Sequence, residues 1–384
     1  MALQRLNVAL LGCMFMGRAH SFAWANVGNF FPVPVRPTLH TVCGLSEDNP
    51  LAFAEKWGWQ NAETNWETVV ANPDIDLVDV STPNNMHAPM AMAAMKAGKI
   101  VVCEKPLAGT FLEALKMSNM AQALGAKTFV WFCYRHAPAV AQARKLVMAG
   151  KIGQIHHSNW YYPQDWADGS VPLLWRFIKK LAGSGSLGDL GAHIVDLCRF
   201  ITGEEIKVKG AMLNTVIKQR TIPTHKSDAG IAEGAEGGGK MGNVTVDDSF
   251  AFLAELSGGS MAVFQAARQA TGNQNNVGFE LNGDRGSLRF SFEDMNHLYF
   301  YDATAPREVQ GWTQIMVTHG ASHPYVNCFW PDAHLIGYGE NFISQAYSTI
   351  LAANGENPVV PVSDFADAAK TQSVLHSVEE KAAE

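Results

Sequence analysis

Apolar residues fall into two rhythms along this chain, and the rhythm changes near residue 130. In the first third, short runs that are apolar at almost every position alternate with longer stretches at helical spacing. The runs are "RLNVALLG", "LHTVCGL", "DLVDVST", "IVVCEKP" and "TFVWFCYR". Between them lie "GRAHSFAWANVG", "NPLAFAEKWG", "MHAPMAMAAMKAGK" and "FLEALKMSNMAQALG". Unbroken apolar runs predict strands buried on both faces, and their alternation with helices predicts a doubly wound parallel sheet. This first domain is placed at residues 1–130.

The rest of the chain reads differently. "APAVAQARKLVMAGKIG" and "LGDLGAHIVDLCRFITG" have the period of amphipathic helices. Strand candidates then follow in series: "IKVKGAMLNTV", "VDDSFAFLAEL", "SMAVFQAARQAT", "NVGFEL", "GSLRFSF" and "HLYFYDA". They are joined by turns such as "LSGGS" and "NGDRGS", a pattern that predicts a mostly antiparallel sheet. "GIAEGAEGGGKMGN" is read as a glycine-rich mobile loop. "GENFISQAYSTILAANG" and the last twenty residues are read as helices. The second domain, 131–384, is therefore α+β.

Composition narrows the function. With 384 residues, 47% hydrophobic and 17% charged, the chain is long enough for two packed domains. A net charge of −7 speaks against a nucleic-acid partner or an anionic membrane surface. No apolar run has the length of a membrane span, and the N-terminal apolar stretch is too short for a signal peptide. The six cysteines are scattered with no C-x-x-C pair, as expected of reduced thiols in a cytoplasmic protein. Thirteen histidines are present, but no metal-ligand spacing occurs, so no metal is expected.

Four short segments carry candidate chemistry. "GCMFMG" follows the first strand and is one residue from a dinucleotide fingerprint. Gly12 and Gly17 hold the first and third glycine places, while Met14 occupies the second. Met14, Phe15 and Met16 still bring backbone N–H groups to the start of a helix, a favourable place for phosphate. "STPNNMHA" supplies Ser81, Thr82, Pro83, Asn84 and His87 at another strand end, where Asn84 or Asn85 equally suits a helix cap. "CEKPLAGT" puts Glu104 and Lys105 at a strand end, either at a ligand edge or in a surface turn. In "GDLGAHIVDL", Asp189 and His193 are four apart on one helical face. The carboxylate could orient the imidazole, or the histidine could be a packed core residue.

Taken in order, "TPNNMH", "EKPL", "YRHAPA", "GSGSLGDLGAHIVDLCRF" and "HPYVNCFWPDAHLIGYGENF" make the whole chain resemble the Gfo/Idh/MocA oxidoreductases. The resemblance implies a Rossmann domain followed by a substrate-binding α+β domain with a large, mostly antiparallel open sheet. It implies Lys105, Asp189 and His193 as the catalytic set. It also implies NAD-dependent oxidation of a secondary hydroxyl of a sugar, glycoside, anhydrosugar or inositol. The C-terminal stretch suggests a branch acting on anhydrosugars such as levoglucosan, or on carbon 3 of glycosides. Tyr134, Gln164, Asp165, Trp166, Trp175, Arg176 and His334 offer polar and aromatic groups suited to binding a polyhydroxylated ring, and a packing role suits each of them equally. An NAD-dependent glycosidase using transient oxidation and a non-catalytic sugar or nucleotide sensor are the alternatives on the same fold.

Met14 departs from the usual glycine, which bears on pyrophosphate contact. Glu47 and Asp48 after the second strand favour NAD over NADP, although Arg18 could approach the site in space. Members of the family usually pair through the open sheet, so a homodimer or homotetramer is expected.

Overall fold

The computed structural model describes Leu3, residues 5–223 and residues 237–384. The first sheet has six strands: β1 (Leu6–Leu11), β2 (Pro37–Cys43), β3 (Asn61–Glu63), β4 (Leu77–Val80), β5 (Ile100–Glu104) and β6 (Thr128–Trp131). They run in the order β3-β2-β1-β4-β5-β6, all parallel. This is the doubly wound order that places a ligand crevice beyond the strand ends at the β1/β4 switch. β4 and β5 are buried at every position, which explains their unbroken apolar sequence.

Helices α1 (Phe15–Phe30), α2 (Pro50–Trp57), α3 (Trp66–Ala71), α4 (His87–Lys96) and α5 (Phe111–Leu124) connect these strands. Their starts follow from local chemistry. Asn49 and Asn65 accept backbone N–H groups at the heads of α2 and α3, and Thr110 and Glu113 form a capping box on α5. The three-residue β3 and the six-residue α3 escape a pattern search because neither is long enough to show a period.

Helix α6 (Pro138–Met148) leads to β7 (Ile155–Pro163), the short α7 (Lys179–Ala182) and α8 (Ala192–Thr202). Then come β8 (Ile206–Asn214), β9 (Gln219–Pro223), β10 (Gly237–Asn243), β11 (Ser249–Leu256), β12 (Met261–Ala267), β13 (Gly278–Gly283), β14 (Gly286–Ser291), β15 (His297–Asp302) and β16 (Trp312–Met316). The eight-stranded order is β16-β15-β14-β13-β7-β12-β11-β8, antiparallel except for β7 against β12. Strict alternation in β11 marks one buried and one open face.

The glycine-rich segment corrects one expectation. Residues 237–243 are not a loop but strand β10, paired antiparallel with β9; residues 230–236 of that stretch lie outside the described residues. Glycine is tolerated there because the ribbon packs closely: a Cβ on Gly242 would meet the Leu173 side chain at 2.5 Å.

The short α9 (Val326–Phe329) precedes α10 (Tyr338–Ala353) and α11 (Phe365–Ala383), which return to the first sheet. Phe31 after α1 stacks on Tyr347 of α10 at 4.4 Å, and Phe111 of α5 stacks on His376 of α11 at 5.4 Å. Val130 N–H donates to Ser363 O at 2.8 Å. One continuous apolar core runs from β1 to α11.

Candidate active site

A cleft of about 1080 Å³ runs from the end of β1 to the start of α8. At one end, Gly12 has φ +121°, and a Cβ there would lie 2.7 Å from Ser81 Oγ and 2.8 Å from Ser81 O. A Cβ on Gly17 would lie 2.3 Å from Gly12 O. Both glycines are therefore required by the close turn. Met14 is not under that constraint: its φ of −86° and ψ of −157° are ordinary extended backbone. Among the described residues no side chain caps α1 and no acidic residue occupies its first turn, so its N–H groups are available to an anion in the cleft. The residues present fit a dinucleotide pyrophosphate, methionine included.

Beyond β2 the cleft wall is Gly44, Leu45 and Asp48; Asp48 accepts Leu45 N–H at 3.1 Å. Arg18 is not part of the lining. An acidic group and no arginine at this position suits free ribose hydroxyls rather than a 2′-phosphate.

At the other end, Lys105 follows β5 and crosses to the second domain. Its Nζ donates to Asp189 O at 2.9 Å and to Asp189 Oδ1 at 3.3 Å. Arg176 Nη1 lies 3.2 Å from the same oxygen, and the fully buried Arg268 lies 3.8 Å from Oδ2. Burial opposes the charge on Asp189. Arg176, Lys105 and Arg268 outweigh it and hold the carboxyl well below the usual range.

Asp189 reaches these cations from a wide helical turn, Leu187–Gly191, that precedes α8. The turn is anchored by Asp247, whose carboxylate accepts Gly185 N–H at 2.7 Å and Leu187 N–H at 2.8 Å. The expected orientation of His193 by Asp189 is not what forms. The wide turn breaks regular α-helical spacing, and the carboxylate goes to the three cations. His193 makes no hydrogen bond among the described residues. Its ring is framed by Tyr134 at 4.7 Å, Tyr162 at 5.9 Å and Phe132 at 6.4 Å. Burial, and then the charge of Lys105, lower its titration well below the ordinary value, so the ring is a neutral base at pH 7.

The remaining cleft wall is a directed hydrogen-bond chain. Trp166 Nε1 donates to Gln164 Oε1 at 2.9 Å, and Gln164 Nε2 donates to Asn275 Oδ1 at 3.0 Å. Tyr162 OH also donates to Asn275 Oδ1, at 2.6 Å, and meets Tyr134 OH at 2.6 Å. An indole N–H only donates, so the chain fixes both amides and leaves Asn275 Nδ2 as a further donor. Trp175, with Arg176 stacked on it at 4.5 Å, completes this end.

Several residues singled out from sequence lie elsewhere. His334 is exposed and outside the cleft, its Nδ1 2.9 Å from Pro331 O. Asp165 is also off the lining; its carboxylate accepts Gly272 N–H at 3.2 Å. Asn84 caps no helix: its Nδ2 donates across the domain boundary to Ala182 O at 2.9 Å. His87 is fully buried, between Thr82 O and Pro106 O at 2.9 and 3.0 Å, and braces the loop that carries Ser81, Thr82 and Pro83. Sequence reasoning missed Tyr162, Asn275, Tyr338 and Arg268. Tyr162 had a signal, since "YYPQDW" alternates along a strand. Asn275 and Arg268 had none, because only tertiary packing brings Asn275 to the cleft and Arg268 behind Asp189.

Comparison with known proteins identifies the family. Residues 6–132 match the model of the oxidoreductase family with an NAD-binding Rossmann fold, and residues 140–289 match the Gfo/Idh/MocA C-terminal domain. The chain belongs to the Gfo/Idh/MocA oxidoreductases. As a member it is an NAD-dependent oxidoreductase, with NAD held by the first domain. It is 37% identical to the levoglucosan dehydrogenase of Pseudarthrobacter phenanthrenivorans over 99% of this chain and 97% of that protein. An oxidoreductase domain protein from Kribbella flavida is 45% identical, with a TM-score of 0.91 over 99% of this chain and 98% of the other. A levoglucosan dehydrogenase solved with NADH and levoglucosan is 36% identical, with a TM-score of 0.90 over 99% and 98%.

Proposed function

We propose that the protein oxidises a secondary hydroxyl of a sugar derivative to a ketone, with an anhydrosugar of the levoglucosan type as the first candidate. The observation that carries this reading is the neutral His193, without a hydrogen-bond partner among the described residues, beside the Lys105–Asp189 ion pair in the same cleft as the glycine turn. Bound NAD supplies the two-electron acceptor for the carbinol hydrogen. His193 takes the hydroxyl proton at a ring nitrogen. Lys105 stabilises the negative charge that builds on the oxygen, and Asp189, pinned by Arg176 and Arg268, fixes the ammonium. Asn275 Nδ2, Trp175 and Arg176 offer a ring-binding wall of donors and flat surface. The 37% identity to a levoglucosan dehydrogenase over nearly the whole chain supports the substrate class.

The test is NADH formation across anhydrosugars, glycosides, free sugars and inositols, with NADP as the comparison cofactor. Levoglucosan or a close anhydrosugar should give the highest kcat/KM with NAD. Glycoside cleavage without net NADH would replace oxidation with the glycosidase reading. Binding of sugars with no turnover would leave a sensor.

The second proposal is self-association through the open face of the eight-stranded sheet. Met212, Leu253 and Met261 are each more than half exposed there, and Arg289 lies over Tyr299 and Trp312 on the same face. Large apolar and aromatic side chains exposed on a sheet face mark a surface for a partner. Light scattering at micromolar concentration should give a dimer or tetramer mass, and Leu253→Lys should shift it toward the monomer. A monomeric parent would remove the proposal. A cytoplasmic location fits the six unpaired cysteines. Among the described residues no helix is long and apolar enough to cross a membrane.

A further inference from the structure

The first helix carries a histidine that the proposed reaction does not use. His20 is completely buried, and both ring nitrogens face carboxylates: Nδ1 is 3.1 Å from Asp79 and Nε2 is 3.0 Å from Glu104 Oε1. Asp79 is fully buried on β4 and accepts two indole N–H groups, from Trp24 at 2.7 Å and Trp131 at 2.9 Å. Glu104 ends β5, and its Oε2 accepts the backbone N–H of Lys105 at 3.0 Å. Trp131 stacks on the ring at 4.3 Å, and Phe342 of α10 lies 6.0 Å away.

A neutral imidazole has one N–H and one lone pair. Here the lone pair would point at a carboxylate oxygen in a fully buried site, an unsatisfied and repulsive contact. Donation from both nitrogens satisfies every group: the ring becomes a cation between two anions. The cluster then has one net negative charge, and Glu104 is its only carboxylate in the cleft lining. The other titratable groups facing Glu104 are Lys105, His87 of α4, Cys103 of β5, Cys133 after β6 and Tyr338 of α10.

We propose that His20 is a positioning residue: its doubly donating ring holds the Glu104 carboxylate charged and immobile in the cleft wall beside Lys105, where it favours the cationic ring of NAD+ over the neutral ring of NADH. The strand order supports the placement. The glycine turn follows β1, Glu104 ends β5 two strands along, and Lys105 comes next. A dinucleotide seated at the turn and reaching Lys105 passes Glu104. The inference deepens the proposed function, but its readouts need no sugar, so a failed substrate screen leaves them standing.

The experiment compares NAD+ and NADH affinity by calorimetry between pH 6 and 8. In the parent the ratio of the two dissociation constants should be flat with pH. Glu104→Gln should weaken NAD+ relative to NADH by about three- to tenfold at every pH, the scale of one charge at partly screened range. His20→Gln leaves two buried carboxylates without their cation. Glu104 then loses the ring donor that fixes it in the cleft wall, so NAD+ should weaken relative to NADH toward the Glu104→Gln value, and the double variant should match Glu104→Gln. An unchanged ratio in Glu104→Gln, or a His20→Gln ratio that is flat and equal to the parent's, would overturn the proposal. Should His20→Gln not fold, 15N-histidine labelling of the parent decides. Burial opposes the charge, but Asp79 and Glu104 outweigh it and raise the titration of His20 to about 9. One ring should therefore still show two protonated nitrogens at pH 8. A spectrum with every ring neutral at that pH would also overturn it.

Discussion

His193→Ala should lower turnover on a sugar substrate by about 10²–10⁴-fold, the usual contribution of a positioned general base, with NAD affinity changed by no more than a few-fold. Among the described residues the ring has no hydrogen bond to lose, and the glycine turn lies at the opposite end of the cleft. Lys105→Ala should cost on the order of 10²–10³-fold, because it removes the donor that meets the developing alkoxide. The proton lost to His193 and the charge met by Lys105 belong to one oxygen. The double variant should therefore be far less severe than the product of the single losses. The pH dependence follows from the lowered titration of His193. As a base already neutral below its ordinary range, it should leave kcat level from pH 8 down to at least 6.5, with a fall only in more acid solution. Near-parental turnover in His193→Ala would reduce this ring to a packing role. Fully multiplicative losses would mean that the two residues serve different steps.

The second large effect is at the cofactor end, where two neighbouring substitutions should behave oppositely. Gly17→Ala would place a Cβ 2.3 Å from Gly12 O, a backbone atom that cannot swing aside. Either the turn opens or α1 shifts, at a cost of about 1–3 kcal/mol. Taken from binding, that is about five- to 150-fold in NAD affinity. Met14→Gly should bind NAD as well as the parent or more tightly, because Met14 already sits in extended backbone and offers the same N–H groups. Calorimetry on the two variants and the parent checks both. Equal affinity in Gly17→Ala would mean that the turn does not hold the pyrophosphate. A large loss in Met14→Gly would mean that the methionine side chain itself contacts the nucleotide.

These contrasts show what kind of information the linear chain carries. The first sheet was legible because strands buried on both faces write themselves as unbroken apolar runs. The antiparallel sheet was legible because β11 alternates strictly. Lys105, Asp189 and His193 stood out because their motifs are short and local. The pairing inside that cluster was not legible. Asp189 turns to Arg176 and Arg268 instead of His193 because the backbone at Leu187–Gly191 leaves the α-helical period, and Asp247, sixty residues downstream, anchors that turn. β10 was hidden because its ladder uses backbone groups alone, and glycine leaves no side-chain rhythm. His334 misled because its motif lies close in sequence to α10 while its own side chain faces solvent.

The return of α10 and α11 to the first domain has a consequence for how the protein is made. Lys127 reaches the carbonyl of Ala353, a partner 226 residues further along the chain. The N-terminal sheet leaves the ribosome long before the segment that covers α1 and α5. At synthesis rates of about 5–20 residues per second, that interval is on the order of ten seconds to a minute. During it, the apolar faces that later meet Tyr347 and Phe365 are bare, and the nucleotide turn is held by only part of its eventual support. A chain truncated before residue 338 should therefore expose the surfaces of α1 and α5 that α10 and α11 cover, and bind an apolar dye more strongly than the full chain.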